Sequence, residues 1–171
     1  MEDQSLNQTP RGSRLHIAIF GRRNVGKSSL INALTNQNIA IVSEVPGTTT
    51  DPVYKSMEIL PLGPVVLIDT AGIDDVGQLG ALRIEKTLAV LAKTDLLLLV
   101  IDPAAQPGDY EKEIIARARK NKVPLVVVLN KMDAYPEAPV KVRPWATANC
   151  SWPFFIAYFL PQIARQMQQY Y

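Results

Sequence analysis

Four near-continuous aliphatic runs set the strongest limit on what this chain can fold into. They are "LHIAIF" (15–20), "VVLID" (65–69), "DLLLLVID" (95–102) and "PLVVVLN" (124–130). A strand with one wet face alternates apolar with polar residues, whereas a run apolar at almost every position must be covered on both faces. Between the runs lie segments of helical periodicity. Lys27 to Leu34 puts Leu30, Ile31 and Leu34 on one side. Residues 81–93, "ALRIEKTLAVLAK", place Leu82, Leu88 and Leu91 at helical spacing, and "DYEKEIIARARKNK" (109–122) is charged and amphipathic. "VYKSMEIL" (53–60) alternates loosely, as an edge or half-buried strand would, and "PLGP" (61–64) reads as a turn. Buried strands alternating with helices predict an α/β fold of three layers, a mostly parallel sheet between helices, joined by right-handed crossovers. In such sheets ligands bind at the carboxyl ends of the strands.

Composition narrows the class further. At 171 residues, 47% hydrophobic and 20% charged, the chain suits one ordinary globular domain. A net charge of +2 gives no strong electrostatic case for a nucleic-acid or anionic-membrane partner, and neither is expected. The polar start, "MEDQSLNQTPRGSR", lacks the apolar stretch of a secretory signal. The longest purely apolar run, Leu96 to Ile101, has six residues, and "WPFFIAYFL" (152–160) is also too short to span a bilayer. One cysteine, Cys150, excludes an internal disulfide framework and suits a reducing compartment, so a soluble, cytoplasmic protein is expected. Cys150 itself reads as a small buried hydrophobe, with a metal ligand or reactive thiol as the alternative. His16, the only histidine, sits within the first run and reads as structural.

Three motifs and a polar loop stand where the fold expects ligands. Gly21-Arg22-Arg23-Asn24-Val25-Gly26-Lys27-Ser28 satisfies G-x-x-x-x-G-K-[ST] between a strand and a helix. Its glycines let successive N–H groups, with those of Val25 and Ser29 among them, point at phosphate oxygens above a helix N-terminus. Lys27 would reach the β- and γ-phosphates and the Ser28 hydroxyl would hold Mg2+. Asp69-Thr70-Ala71-Gly72 ends the second run; Asp69 would support Mg2+ through a water, and the Gly72 N–H would sense the γ-phosphate. Asn130-Lys131-Met132-Asp133 selects the base. Guanine offers two donors that a carboxylate accepts together, whereas adenine presents a lone pair to Asp133, a mismatch that discriminates by roughly 10⁴-fold. Asn130 would tie this segment to the phosphate loop, and the Lys131 stem would cover the ring. "SEVPGTTTDP" (43–52) reads as a polar loop in which one of Thr48, Thr49 or Thr50 reaches Mg2+ when a γ-phosphate is present. Arg22 and Arg23 read as solvated loop charges, with a partner or phosphate contact as the alternative.

With "GRRNVGKSS", "PGTTTD", "DTAG" and "NKMD" in order, the chain resembles the TrmE–Era-like branch of P-loop GTPases. More narrowly, "GRRNVGKSSLINALTNQ", "AIVSEVPGTTTDPVYKSMEILPLGPVVLIDTAGIDD" and "LRIEKT" are similar to the GTPase domain of the HydF family, which matures FeFe-hydrogenase. The resemblance implies GTP/GDP and Mg2+ as cofactors, Thr49 as the Mg2+-binding switch threonine, and a K+ ion held by Asn24 that neutralises transition-state charge. Lys27, Thr49 and Asn24 then carry catalysis. Ile73 stands where Ras-like proteins place a water-orienting glutamine, which implies slow hydrolysis, and the general base stays open. The resemblance further implies hydrogenase or maturation proteins as partners and a homodimer through the switch face. The iron–sulfur cluster domain of that family is not expected here, since one Cys and one His cannot hold a cluster.

The chain divides at its ends. Residues 1–13 read as a flexible segment and 14–134 as the GTPase domain. From Tyr135 the character changes: the last acidic residue is Glu137, and prolines recur at 136, 139, 144, 153 and 161. A helix and a strand ending in a Ser-Ala loop should follow Asp133 in this branch. Thr147-Ala148, the nearest candidate, comes 14 residues later, too soon for both, so a C-terminal strand and helix are doubtful. Residues 135–171 are expected to be a truncated or frame-altered end, with a divergent native terminus as the alternative. Three functions follow: a slow GTPase switch, a nucleotide-regulated scaffold with negligible turnover, or a truncated product that binds nucleotide poorly. A tRNA-modification or ribosome-assembly GTPase of the same branch is the alternative to the hydrogenase role.

Overall fold

A computed structural model describes residues 14–35, 43–45, 52–59, 63–70, 80–132, 134–135, 145 and 154–158. In chain order the elements are β1 (Leu15–Phe20), α1 (Lys27–Thr35), β2 (Ser43–Val45), β3 (Val53–Ile59), β4 (Gly63–Asp69), α2 (Gly80–Leu91), β5 (Leu96–Ile101), α3 (Asp109–Lys120), β6 (Leu125–Leu129) and β7 (Phe154–Tyr158). One sheet holds the strands in the order β2-β3-β4-β1-β5-β6-β7. Strands β4, β1, β5, β6 and β7 run parallel, and β3 and β2 are antiparallel additions on the β4 side.

The two-sided aliphatic runs explain the layers. Along β1, Ile17 and Ile19 face one core with Leu30 and Ile31 of α1. Ala18 and Phe20 face the other, with Val90 and Leu91 of α2 and Ile114, Ile115 and Ala118 of α3. The same alternation repeats in β4, where Val65 and Leu67 join the first core and Val66 and Ile68 the second. A period of two thus splits each run between two cores, and this places α1 on one face and α2 and α3 on the other.

Several details differ from the sequence expectation. Among the described side chains of α2, which do not include Leu82, the buried positions are Thr87, Val90 and Leu91, spaced i, i+3, i+4, while Leu88 is 40% exposed. Leu88 lies on the flank of that stripe, so helical spacing to Leu91 alone did not bury it. Of the two readings of β3, edge or half-buried, the second holds: its residues are mostly half-buried, and β2 pairs outside it in the segment read as loop, with Glu44 in register opposite Lys55. Gly63 and Pro64, read as turn, already belong to β4, opposite Ile59 and Glu58. The C-terminal strand left doubtful is present: β7 pairs with β6 from Leu125↔Phe154 to Leu129↔Tyr158. Its aromatic and β-branched residues favour extended backbone, and the open edge of β6 supplies a partner. No helix among the described residues is long and apolar enough to cross a membrane.

Candidate functional site

The carboxyl ends of β1, β4, β5 and β6 converge on the loop between β1 and α1. Gly21 leaves β1 beneath β5, where a Cβ would come within 2.5 Å of the Val100 carbonyl oxygen. The chain then turns through Asn24 at φ 62° and Gly26 at φ 95°, left-handed conformations that asparagine and glycine tolerate best. Alternation of this kind turns successive backbone N–H groups to one side, the geometry of an anion cradle. α1 starts at once, with the Leu30 N–H donating to the Gly26 carbonyl at 3.0 Å. Ser28 and Ser29 are exposed in its first turn. Lys27 is only 6% exposed. Its Nζ donates to the carbonyl oxygens of Gly21 and, at 3.0 Å, of Arg22, so the ammonium folds back over its own loop.

The end of β4 stands beside it. Asp69 is in parallel register with Ile19, and the buried Thr70 hydroxyl donates to the Ile19 carbonyl at 2.6 Å, pinning this strand end to β1. From the end of β6, Asn130 is 4% exposed and its Nδ2 donates to the Val25 carbonyl at 2.8 Å. The expected tie between the "NKMD" segment and the phosphate loop is therefore a buried hydrogen bond spanning 105 residues of sequence. Lys131, at φ 54°, donates from Nζ to the Asn24 carbonyl at 3.1 Å and to Asp102 Oδ2 at 2.6 Å. Three of the sequence-predicted site residues, Thr49, Gly72 and Asp133, lie outside the described residues. Asn24, Val25, Gly26, Lys27, Ser28, Ser29, Asp69, Asn130 and Lys131 are brought together at one end of the sheet.

Two acidic residues in this region escaped the sequence reading. Asp102 follows β5 and accepts both Lys131 Nζ and, at 2.9 Å, the Ala104 N–H. Burial pushes its carboxyl up, but the Lys131 hydrogen bond, the Ala104 amide and the Lys131 charge outweigh that and hold it below the usual 3.8. Glu111, in the first turn of α3, is 3% exposed and pairs with Arg22 Nη2 at 2.6 Å. Arg22 is thus anchored, not a solvated loop charge. A signal for Asp102 was available, since it ends a buried strand as Asp69 does; for Glu111 it was the Gly108-x-x-Glu111 spacing of a helix start. At the opposite, amino end of the central strands, the His16 N–H donates to Asp95 Oδ2 at 2.8 Å and the Asp95 N–H to the His16 carbonyl at 2.9 Å, a structural role as expected. Thr147-Ala148 precedes β7 in the chain, so it cannot be the loop that follows this last strand.

A glycine-bounded loop with a buried lysine, an aspartate at the next strand end and an asparagine-lysine pair locked onto the loop define a P-loop GTPase domain of the TrmE/Era/Der type. The chain belongs to the family described as 50S ribosome-binding GTPase, whose match covers residues 16–131. It is similar to the tRNA modification GTPase MnmE of Synechococcus sp. (strain JA-3-3Ab), 40% identical over 156 residues, covering 89% of this chain and 30% of that protein. GTPase Der of Wolinella succinogenes is 38% identical over 135 residues, 77% of this chain and 28% of Der. The chain thus spans less than a third of these curated relatives. In fold it resembles Aquifex aeolicus Era bound to GDP and AlF4, with a TM-score of 0.64 at 24% identity over 91% of this chain and 56% of that one.

Proposed function

We propose that the chain is a GTP-binding switch that hydrolyses GTP slowly with Mg2+ and K+. The observation that carries this reading is the buried Asn130–Val25 hydrogen bond, which joins a guanine-type recognition segment to a phosphate-type loop. The residues present fit the nucleotide: the Asn24–Gly26 turn is shaped for an anion, and the buried Lys27 ammonium already lies over that loop, donating to the Gly21 and Arg22 carbonyls. In this reading the loop amides from Asn24 to Ser29 and Lys27 bind phosphate, Ser28 and Thr49 hold Mg2+ with support from Asp69, and the Gly72 amide senses the γ-phosphate. Asn24 holds K+, and Asn130, Lys131 and Asp133 recognise guanine. Mg2+ and K+ supply charge neutralisation when bound, while the protein's own part is to position the phosphates and exclude adenine. Ile73, in place of a water-orienting glutamine, supports a low intrinsic rate. Calorimetric titration with GDP and ADP tests the reading: micromolar GDP binding with no ADP binding supports it, and absence of GDP binding overturns it.

The process this switch serves has two readings. The blocks around "GRRNVGKSSLINALTNQ" and "LRIEKT" support hydrogenase cluster assembly, with maturation proteins as partners and a homodimer through the switch face. The names of the relatives support tRNA modification instead, at 37–44% identity. A strain lacking the gene, assayed for both hydrogenase activity and tRNA modification, separates them. Loss of hydrogenase activity alone supports the first reading, and loss of the modification alone supports the second.

A further inference from the structure

We propose that Glu111 is a positioning residue of the phosphate-binding loop, acting through Arg22; this rests on the reading that Gly21–Ser28 binds phosphate. Glu111 is far from that loop in sequence and would be needed for α3 alone only as a cap. Its Oε2 accepts the Gly108 N–H at 2.7 Å, a helix-start interaction, but the same oxygen takes the Arg22 guanidinium at 2.6 Å. Arg22 lies so close over Gly108 that a Cβ there would come within 2.7 Å of Nη2, so glycine leaves room for the guanidinium. The carbonyl of that same Arg22 accepts Lys27 Nζ at 3.0 Å. A chain of contacts therefore runs from a carboxylate 3% exposed, through one arginine, to a carbonyl that holds the lysine.

The burial of Glu111 makes this link stiff. A carboxylate out of water is stable only with its charge and lone pairs matched, and Arg22, Gly108 and the positive end of α3 together match them. Displacing Arg22 would strand that charge, so the loop backbone at 22 is held before any nucleotide arrives. Neither side chain is assigned a contact with substrate. Preorganisation by such a link favours ground state and transition state equally, because the bound phosphate imposes the same loop geometry in both. The expected signature is a raised KM with kcat unchanged.

The experiment uses the full chain carrying Glu111→Gln, Arg22→Ala, or both, with mant-GDP binding, GTP turnover at varied substrate, and thermal unfolding. Gln keeps the volume and the acceptor for the Gly108 N–H, so that variant folds even where Arg22→Ala, which strands the acid, does not. For Glu111→Gln the mant-GDP Kd and the KM are expected to rise about tenfold, the loss of one charge-assisted hydrogen bond. kcat is expected to stay within about twofold. The double variant is expected to match the more affected single one. A lower kcat at unchanged KM and Kd, tracking the folded fraction, would make Glu111 a helix cap alone and overturn the proposal. Multiplying effects in the double variant would do the same. Lys27→Ala separates the underlying reading: if it binds mant-GDP as well as wild type, the phosphate site itself is wrong, whereas its loss beside an unaffected Glu111→Gln sinks only the positioning role.

Discussion

Gly26 and Asn130 are packed so closely that a Cβ built on the glycine would overlap the asparagine amide nitrogen. That nitrogen cannot swing away cheaply, because it is buried and donates to the Val25 carbonyl. Gly26 also sits at φ 95°, where an L side chain is strained in any case. Gly26→Ala is therefore expected to cost about 2–4 kcal/mol from strain and overlap together. Because the damage falls on the loop, GDP affinity should drop by about a hundredfold or more. Binding at wild-type affinity would show that the loop and the Asn130 segment are not locked together as described.

Asn130 gives a second handle on the same lock. Asn130→Ala removes the donor to Val25 and leaves a buried carbonyl unpaired, an expected loss of about 1–3 kcal/mol. Asn130→Asp should be worse at neutral pH, since it sets a charged acceptor against the carbonyl. Protonation would restore a donor, so the gap between the Asp and Ala variants should narrow as pH falls through the carboxyl pKa. Urea unfolding monitored at pH 7 and pH 5 checks both the order and its pH dependence.

Much of this architecture was legible because it is local. Ile17 and Ile19 against Ala18 and Phe20 already encode two cores, and any strand apolar on both sides needs helices above and below. The phosphate loop was equally plain, since its residues are consecutive. What escaped was non-local: Asp102 meets Lys131 across 29 residues and Glu111 meets Arg22 across 89. A single acid in a loop or first helical turn is common, and nothing in its neighbours names a distant partner. β7 was missed for another reason. Its apolar run lies among prolines with no legible helix beside it, and only the open edge of β6 reveals it as a strand.

The Asp102–Lys131 pair should leave a mark on acid stability. The folded carboxyl lies below its usual 3.8, so the fold gains stability from it above that value. The gain is lost as pH falls through the lower folded pKa. Asp102 is 16% exposed and Lys131 43%, so Asp102→Asn is expected to cost about 1–2 kcal/mol at pH 7, between an exposed ion pair and a buried charged hydrogen bond. The difference between wild type and variant should shrink below pH 3.8. Denaturant titrations from pH 7 to pH 3 measure it; a constant gap would mean the carboxyl is not depressed.

Asn24 has two reasons to be asparagine, and they can be pulled apart. Its backbone stands at φ 62°, which asparagine tolerates and alanine resists by about 1–2 kcal/mol. Its carbonyl accepts Lys131 Nζ, a contact any residue could make. The proposed K+ role needs the side-chain oxygen. Asn24→Gly keeps the turn and the carbonyl but removes that oxygen, so it is expected to bind GDP within about threefold of wild type, since glycine adopts this φ without strain. Its GTP turnover should no longer respond to K+ over Na+, which in wild type is expected to be stimulated. Asn24→Ala should lose affinity as well as the response. Equal wild-type rates in K+ and Na+ would remove the ion from the account and leave the asparagine explained by its backbone alone.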